Sequence, residues 1–239
     1  MTPSLRVPVD VGAGPTIVVL HGYGMRPETY AGTAELLSQW CRVVIPDLFA
    51  VPAPWRYEDV LERMGLTLDD LGCGPVSMIA HSFGGAIALG FAARQPEQVT
   101  ELVFSDTLAV SAEWGLATEA TRHPFGLLRL ATFPAAAAFA AQWTTHPRQL
   151  VEAAWWGFRS RRLGDIDAVA RARIPSHVLW ANRDSILPRS DGRRFAERLH
   201  ATFSVARSAD GPVDHDWMFQ DPALFVEHVR LLGLRCMQS

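Results

Sequence analysis

Val76-Ser77-Met78-Ile79-Ala80-His81-Ser82-Phe83-Gly84-Gly85 reads as an apolar strand that runs straight into a helix through a turn carrying a serine. Small residues stand two before that serine (Ala80) and two after it (Gly84). The spacing has a steric reason. A serine held in strained backbone pushes its Oγ out of the strand line, and its neighbours at plus and minus two then face the adjoining strand and helix, where only small side chains fit. The following helix aims its N-terminus at the serine, so unpaired amides and a positive dipole face any anion formed there. The plainer alternative is a strand–helix turn in which Ser82 merely caps the helix.

A serine hydroxyl is a poor nucleophile at neutral pH. It needs a base, and the base needs an orienting acid. On a doubly wound sheet these are expected in the order serine, acid, histidine, each just after a later strand. His177-Val178-Leu179-Trp180-Ala181-Asn182-Arg183-Asp184 is a strand ending in a loop that carries Asp184. Gly211-Pro212-Val213-Asp214-His215-Asp216-Trp217 sets His215 in a turn ahead of the final helix. Taken alone, Asp184 can be a turn-capping surface residue and His215 a turn histidine held by its aspartate neighbours. Together with Ser82, in this order, coincidence is a poor explanation. Asp106, after the strand Leu102 to Phe104, is a rival position for the acid.

Upstream, His21-Gly22-Tyr23-Gly24 follows the first strong strand. Its glycines let the backbone fold close to the serine turn, so the amides of Tyr23 and Phe83 are candidates for a two-donor oxyanion hole. Each such donor is typically worth ~2.7–4 kcal/mol in a transition state. His21 and His81 are expected to be structural.

The surrounding chain alternates two periodicities. Short β-branched runs at Thr16 to Leu20, Val43 to Ile45, Val76 to Ala80 and Val99 to Phe104 read as buried strands. Helical patterns lie between them, over Glu28 to Trp40, Tyr57 to Leu71 and Phe83 to Gln95. That alternation predicts an α/β fold, a doubly wound, mostly parallel sheet. It stops between about Leu108 and Arg173, where Ala- and Trp-rich helical stretches lie around Phe133 to Trp143 and Arg148 to Phe158. It resumes with a strand at His177 to Trp180, a helix at Ser190 to His200, a strand at Ala201 to Val205 and a helix at Pro222 to Leu232. The expected organisation is a core of residues 1–107 and 173–239, with a helical lid at 108–172.

The chain has 239 residues, 49% hydrophobic and 20% charged, enough for one larger α/β domain and against disorder. A net charge of −3 with no basic run makes nucleic acid an unexpected partner, and all 22 cations are arginine. Cys41, Cys73 and Cys236 are too scattered for a disulfide framework or a zinc site, and an odd count fits a reducing compartment. The run Ile17 to Leu20 is far short of the ~20 residues of a membrane span, and the first residues lack signal-peptide features. A cytoplasmic location is expected, with a monomer and a homodimer both open.

The quoted segments, with Pro46-Asp47-Leu48 and with Pro188 and Pro222 after the acid and base loops, resemble the α/β-hydrolase superfamily, in its serine-nucleophile branch with a helical cap after the sixth strand. The resemblance implies Ser82 as nucleophile, Asp184 as acid, His215 as base and the Tyr23 and Phe83 amides as oxyanion hole. Serine at the elbow sets the chain apart from the aspartate-nucleophile branches. Phe49-Ala50-Val51-Pro52-Ala53-Pro54-Trp55 departs from the glycine-rich loop common at this point in the family, and Ala80 and Ala181 stand where glycine is commoner. The N-terminal strands also look trimmed.

The expected reaction is cleavage of a small to medium apolar ester or thioester through an acyl-enzyme, with no metal or organic cofactor called for. Phe125, Phe133, Phe139, Trp143, Trp155 and Trp156 are candidates for an apolar substrate pocket, although aromatic residues on a short cap also serve simply to pack it. Arg159, Arg161 and Arg162 are expected on a solvated helix face rather than against a substrate carboxylate. The same triad would equally serve a carbon–carbon bond hydrolase or a cofactor-free lyase, or persist in a ligand receptor with slow turnover.

Overall fold

A computed structural model of the chain describes residues 2–107, 133–159 and 162–237. Among these residues seven strands form one sheet: β1 (Val9–Val11), β2 (Thr16–Leu20), β3 (Arg42–Ile45), β4 (Val76–His81), β5 (Val99–Ser105), β6 (Ser176–Ala181) and β7 (Thr202–Ala206). Their order across the sheet is β1-β3-β2-β4-β5-β6-β7. Only β1 runs antiparallel, against β3; every other neighbouring pair is parallel.

The β-branched runs become strands because both faces of the sheet are covered. Ile17, Val19 and Ile79 enter one apolar layer, while Val18, Leu20 and Met78 enter the other. Successive side chains point to opposite faces, so a strand buried on both sides must be apolar throughout. Each such buried side chain contributes about 1.5–3 kcal/mol. One layer is closed by α1 (Ala31–Leu37) and the final helix Pro222–Leu232, through Ala34, Leu37, Phe225, Val226 and Val229. The other is closed by α2 (Tyr57–Asp70) and α3 (Gly84–Arg94). The helix expected from Glu28 is split: Pro27–Tyr30 forms a tighter 3-10 turn, with Pro27 at its start, before α1 begins.

Between β5 and β6 lie the helices α4 (Phe133–Thr145), α5 (Pro147–Arg159) and α6 (Leu163–Ala172). Pro147 lacks an amide proton and so opens a new helix rather than continuing α4. Counted along the described strands, the insertion follows the fifth. α6 packs against α3 and against α7 (Arg189–Leu199), and its Ile166 and Val169 enter the apolar layer of Met78 and Ala80. α8 (Trp217–Gln220) and α9 (Pro222–Leu232) complete the chain in the described region apart from a last 3-10 turn. Among the described residues no helix is long and apolar enough to cross a membrane.

Parallel strands emerge at one edge of the sheet with their carboxyl ends together, the usual place for chemistry in such folds. The loops leaving β2, β4, β5, β6 and β7 carry Tyr23, Ser82, Asp106, Asp184 and His215 respectively.

Candidate active site

Ser82 follows the last residue of β4 and has φ +50, the left-handed region that a non-glycine residue enters only under constraint. Its amide is tied to the Ser105 carbonyl of β5 at 3.0 Å, and its carbonyl accepts from Gly85 N at 3.0 Å. Gly84 is required by its surroundings: a Cβ there would sit 2.3 Å from the Leu20 carbonyl oxygen. Ala80 is wholly buried between strands β2 and β5. Small residues at both flanks thus let β2, β4 and α3 close on the turn.

His215 and Asp184 meet. His215 Nδ1 lies 2.9 Å from Asp184 Oδ2, and both side chains are almost fully buried. The other Asp184 oxygen accepts from the amides of Ile186 and Leu187, both at 2.8 Å. Burial alone would push the Asp184 carboxyl up, but the His215 charge and these hydrogen bonds hold it below the usual carboxylate range. For His215 burial works against the proton, yet the Asp184 charge and hydrogen bond prevail and raise it to about 9.

The acid and base loops are stitched together along their backbones. Arg183 N donates to Val213 O at 3.0 Å, Val213 N to Asn182 Oδ1 at 2.8 Å, and Ser185 N to Asp214 Oδ1 at 2.7 Å. Asp214 Oδ1 also accepts from His215 N at 2.7 Å. Asp214 is one of the aspartate neighbours expected to hold the His215 turn; the part played by Asn182 has no advance signal beyond its place in the acid loop.

Asp106 does not orient the histidine by a hydrogen bond. It is fully buried at φ +49, with Oδ1 accepting from Ala181 N at 2.7 Å and Oδ2 from Trp217 Nε1 at 2.7 Å and Ser105 Oγ at 2.9 Å. It therefore braces the ends of β5 and β6 against the base loop. Burial and the neighbouring Asp184 charge push its carboxyl well above the usual range.

The Ser82 hydroxyl makes no hydrogen bond among the described residues, so the serine–histidine link is open here. Ser82 nevertheless adjoins His81, whose Nε2 lies 3.0 Å from the His215 carbonyl, with the two imidazole centroids 5.0 Å apart. Such links are often long without substrate. The amides of Tyr23 and Phe83 donate no backbone hydrogen bond among the described residues. His21 is a buried structural residue: its Nε2 accepts from Leu48 N at 3.0 Å, and its Nδ1 lies 3.0 Å from Gly22 O.

Could this region hold a metal? His81, His215 and Asp216 have potential ligand atoms within 4.8 Å of one another. Both His81 nitrogens are already engaged, by Tyr30 and by the His215 carbonyl, and His215 Nδ1 is engaged by Asp184. Burial also pushes the Asp216 carboxyl up, which disfavours an anionic ligand. The donor set does not suit a cation.

Trp143 and Trp155 line a cleft of about 1240 Å³ together with Tyr23, Trp55, Tyr57 and Trp156. Neither Ser82 nor His215 is among its described lining residues. The Phe83 ring is buried between Tyr23, Trp55 and Trp156, at centroid distances of 5.9 Å from each. Trp155 is 61% exposed, with Arg159 4.3 Å above its ring. Arg162 is not on a solvated face: it stacks 3.9 Å over Tyr57, bonds Asp165 at 3.0 Å and is largely buried. Phe139 packs on Tyr23 and Trp143 rather than lining this cleft. Phe125, Arg161 and the Phe133 side chain lie outside the described residues. The helical insertion is anchored to the core by Tyr23 Oη donating to Leu150 O at 2.8 Å, Gln142 Nε2 to Asp47 Oδ1 at 3.1 Å, and Trp55 N to Glu152 Oε2 at 2.6 Å.

Over 114 residues the chain is 33% identical to a 2-hydroxy-6-oxo-2,4-heptadienoate hydrolase from Pseudomonas putida, spanning 44% of this chain and 41% of that protein. Over 100 residues it is 33% identical to a lipase from Mycobacterium tuberculosis, spanning 39% of this chain and 38% of the lipase. Each match thus covers about two fifths of the relative's length. The structure superposes on a thermophilic esterase from Thermogutta terrifontis with a TM-score of 0.77 at 18% identity, covering 98% of this chain and 94% of the esterase, a likeness of fold. The sequence profile of the Alpha/beta hydrolase family matches residues 17–228, almost from the first parallel strand to the last helix, and the chain belongs to that family.

Proposed function

We propose that the protein is a serine hydrolase that cleaves a small to medium apolar carboxylic ester or thioester through an acyl-enzyme. The observation that carries this reading is the buried Asp184–His215 pair at 2.9 Å, at the same sheet edge as Ser82 in its strained turn. Ser82 Oγ attacks the carbonyl carbon while His215 Nε2 takes the hydroxyl proton. Negative charge collects on the carbonyl oxygen, facing the Tyr23 and Phe83 amides. The carbon–oxygen or carbon–sulfur bond then breaks, and His215 gives its proton to the leaving group. Water attacks the acyl-enzyme, losing a proton to His215, and the acid departs as Ser82 regains its hydrogen.

Asp184 keeps the His215 proton on Nδ1, leaving Nε2 free to act as base. The nucleophile, base, acid and oxyanion donors of this cycle all come from the chain itself. The segment between β5 and β6, with its described helices α4 to α6, acts as the cap, and its tryptophans favour apolar acyl groups. A second reading, carbon–carbon bond hydrolysis by the same triad, is favoured by the Pseudomonas putida relative, whose name describes a dienoate hydrolase.

The test is labelling with a fluorophosphonate probe, followed by turnover of a chain-length series of p-nitrophenyl esters. Wild type should be labelled and should hydrolyse short esters, and Ser82→Ala should lose both. Labelling that persists in Ser82→Ala, or turnover of charged substrates alone, would overturn the reading.

A further inference from the structure

We propose that Tyr30 and His81 form a positioning strut that locks the loop carrying the Tyr23 amide to the loop carrying His215. The proposal deepens the acyl-transfer reading and rests on it. Gly22 N donates to Tyr30 Oη at 3.0 Å, Tyr30 Oη lies 2.8 Å from His81 Nδ1, and His81 Nε2 lies 3.0 Å from the His215 carbonyl oxygen. Tyr30 is fully buried and His81 is 1% exposed.

The chemistry of the groups sets the direction of each bond. A carbonyl oxygen can only accept, so His81 Nε2 carries a proton. In a buried, neutral imidazole the other nitrogen must then accept, so Tyr30 donates its single hydroxyl proton to Nδ1. The tyrosine oxygen keeps its lone pairs for the Gly22 amide. Burial and the nearby His215 hold the His81 ring neutral, lowering it to about 3. Each donor and acceptor is used once. Phe219 screens the strut from water, its ring 5.3 Å from Tyr30 and 6.2 Å from His81.

The strut adds a buried link between the loop after β2 and the loop after β7, beside the Thr33 hydroxyl that donates to the Met218 carbonyl. Gly22 immediately precedes Tyr23, so orienting the Gly22 peptide orients the amide expected to meet the oxyanion. The His215 carbonyl belongs to the residue whose ring serves as base. His81 itself sits in β4, paired with Ser105, directly before Ser82. A core histidine with satisfied bonds would stabilise the fold; a strut makes its two residues act on turnover as one unit.

The experiment measures kcat and KM for a short p-nitrophenyl ester, together with fluorophosphonate labelling rates and thermal midpoints. It uses wild type, Tyr30→Phe, His81→Gln, His81→Leu and the Tyr30→Phe/His81→Leu double variant. Tyr30→Phe and His81→Leu should each lower kcat by about 10- to 100-fold with little change in KM, as misplacement near the reacting centre does. The double variant should be no worse than the poorer single one, since both break one connection. His81→Gln, which keeps a donor toward the His215 carbonyl, should recover part of the loss. Additive losses, or lowered midpoints with kcat unchanged, would overturn the strut. Nitrogen-15 spectra of the histidine rings supply a readout free of turnover: His81 should be protonated on Nε2 in wild type, and Tyr30→Phe should shift its Nδ1 resonance, which loses its donor, while Nε2 keeps the proton. An Nδ1-protonated His81 overturns the strut whatever the activity, whereas a wild type that neither labels nor turns over ester, with His81 wired as stated, counts against the acyl-transfer reading alone.

Discussion

Asp184 and Asp106 carry the same functional group at the ends of neighbouring strands, yet their surroundings drive them apart. Asp184 faces an imidazole and two amides and is held ionised. Asp106 faces a second carboxylate in a fully buried niche and is pushed toward its neutral form. Two carboxyl groups separated in this way take different roles. Asp184→Asn should lower kcat by on the order of 10³- to 10⁴-fold, because the amide no longer selects the right imidazole tautomer. Asp106→Asn turns an amide NH₂ toward the Trp217 indole donor or the Ala181 amide, so its main effect should be on stability, about 1–3 kcal/mol. Steady-state kinetics and urea titration of both variants, run side by side, separate the two. An Asp106→Asn loss of kcat as deep as that of Asp184→Asn would move the acid to β5. This choice was partly legible in the sequence, since Trp180 and Pro188 bracket an acid loop of the expected form. The bonds of Asp106 to Ala181 and Trp217 were not, because those partners lie 75 and 111 residues away.

At the scale of elements, the strand–turn–helix at Ser82 holds together because β2 runs so close to α3. The Leu20 carbonyl lies where a side chain at residue 84 would begin, and Leu20 leads directly into His21 and the Tyr23 loop. Gly84→Ala should therefore destabilise the fold by about 1–3 kcal/mol, as overpacking does. Because β2 must shift to admit the methyl group, the labelling rate of Ser82 should fall in the same variant even where it remains folded. A soluble Gly84→Ala protein with wild-type urea midpoint and labelling rate would show that the close approach is not needed. Strands and helices built on strong periodicity were readable in advance; the last helix spans the predicted Pro222–Leu232. The part of the site held by side chains from separate elements was harder. Tyr30 sits in a 3-10 turn that reads as the start of a helix, and nothing local says that its hydroxyl reaches His81, 51 residues on. α6 was also hard to foresee as a core-packing helix, since its apolar face is only Ile166, Val169 and their neighbours and its partner α3 lies far back in the chain.

At the scale of the whole molecule, one proton links folding to turnover with opposite signs. The folded His215 holds its proton up to about 9, against the 6.5 of a free imidazole. A raised folded-state value contributes stability that is fully present below pH 6.5 and lost as pH climbs toward 9, because over that window the native state binds more protons than the unfolded chain. The window corresponds to on the order of 3 kcal/mol, carried by the same His215–Asp184 pair that depresses the aspartate, so the two shifts count once. Catalysis needs the ring without that proton, so kcat/KM should rise across the very range in which stability falls. The check is a set of urea midpoints and ester turnover rates taken from pH 6 to 9.5 on wild type and on His215→Gln. Wild type should lose midpoint as it gains activity, and His215→Gln should be inactive with a flatter midpoint profile over the same range. A wild-type midpoint that holds level while activity rises would mean that the imidazole proton is not what joins the base loop to the rest of the fold.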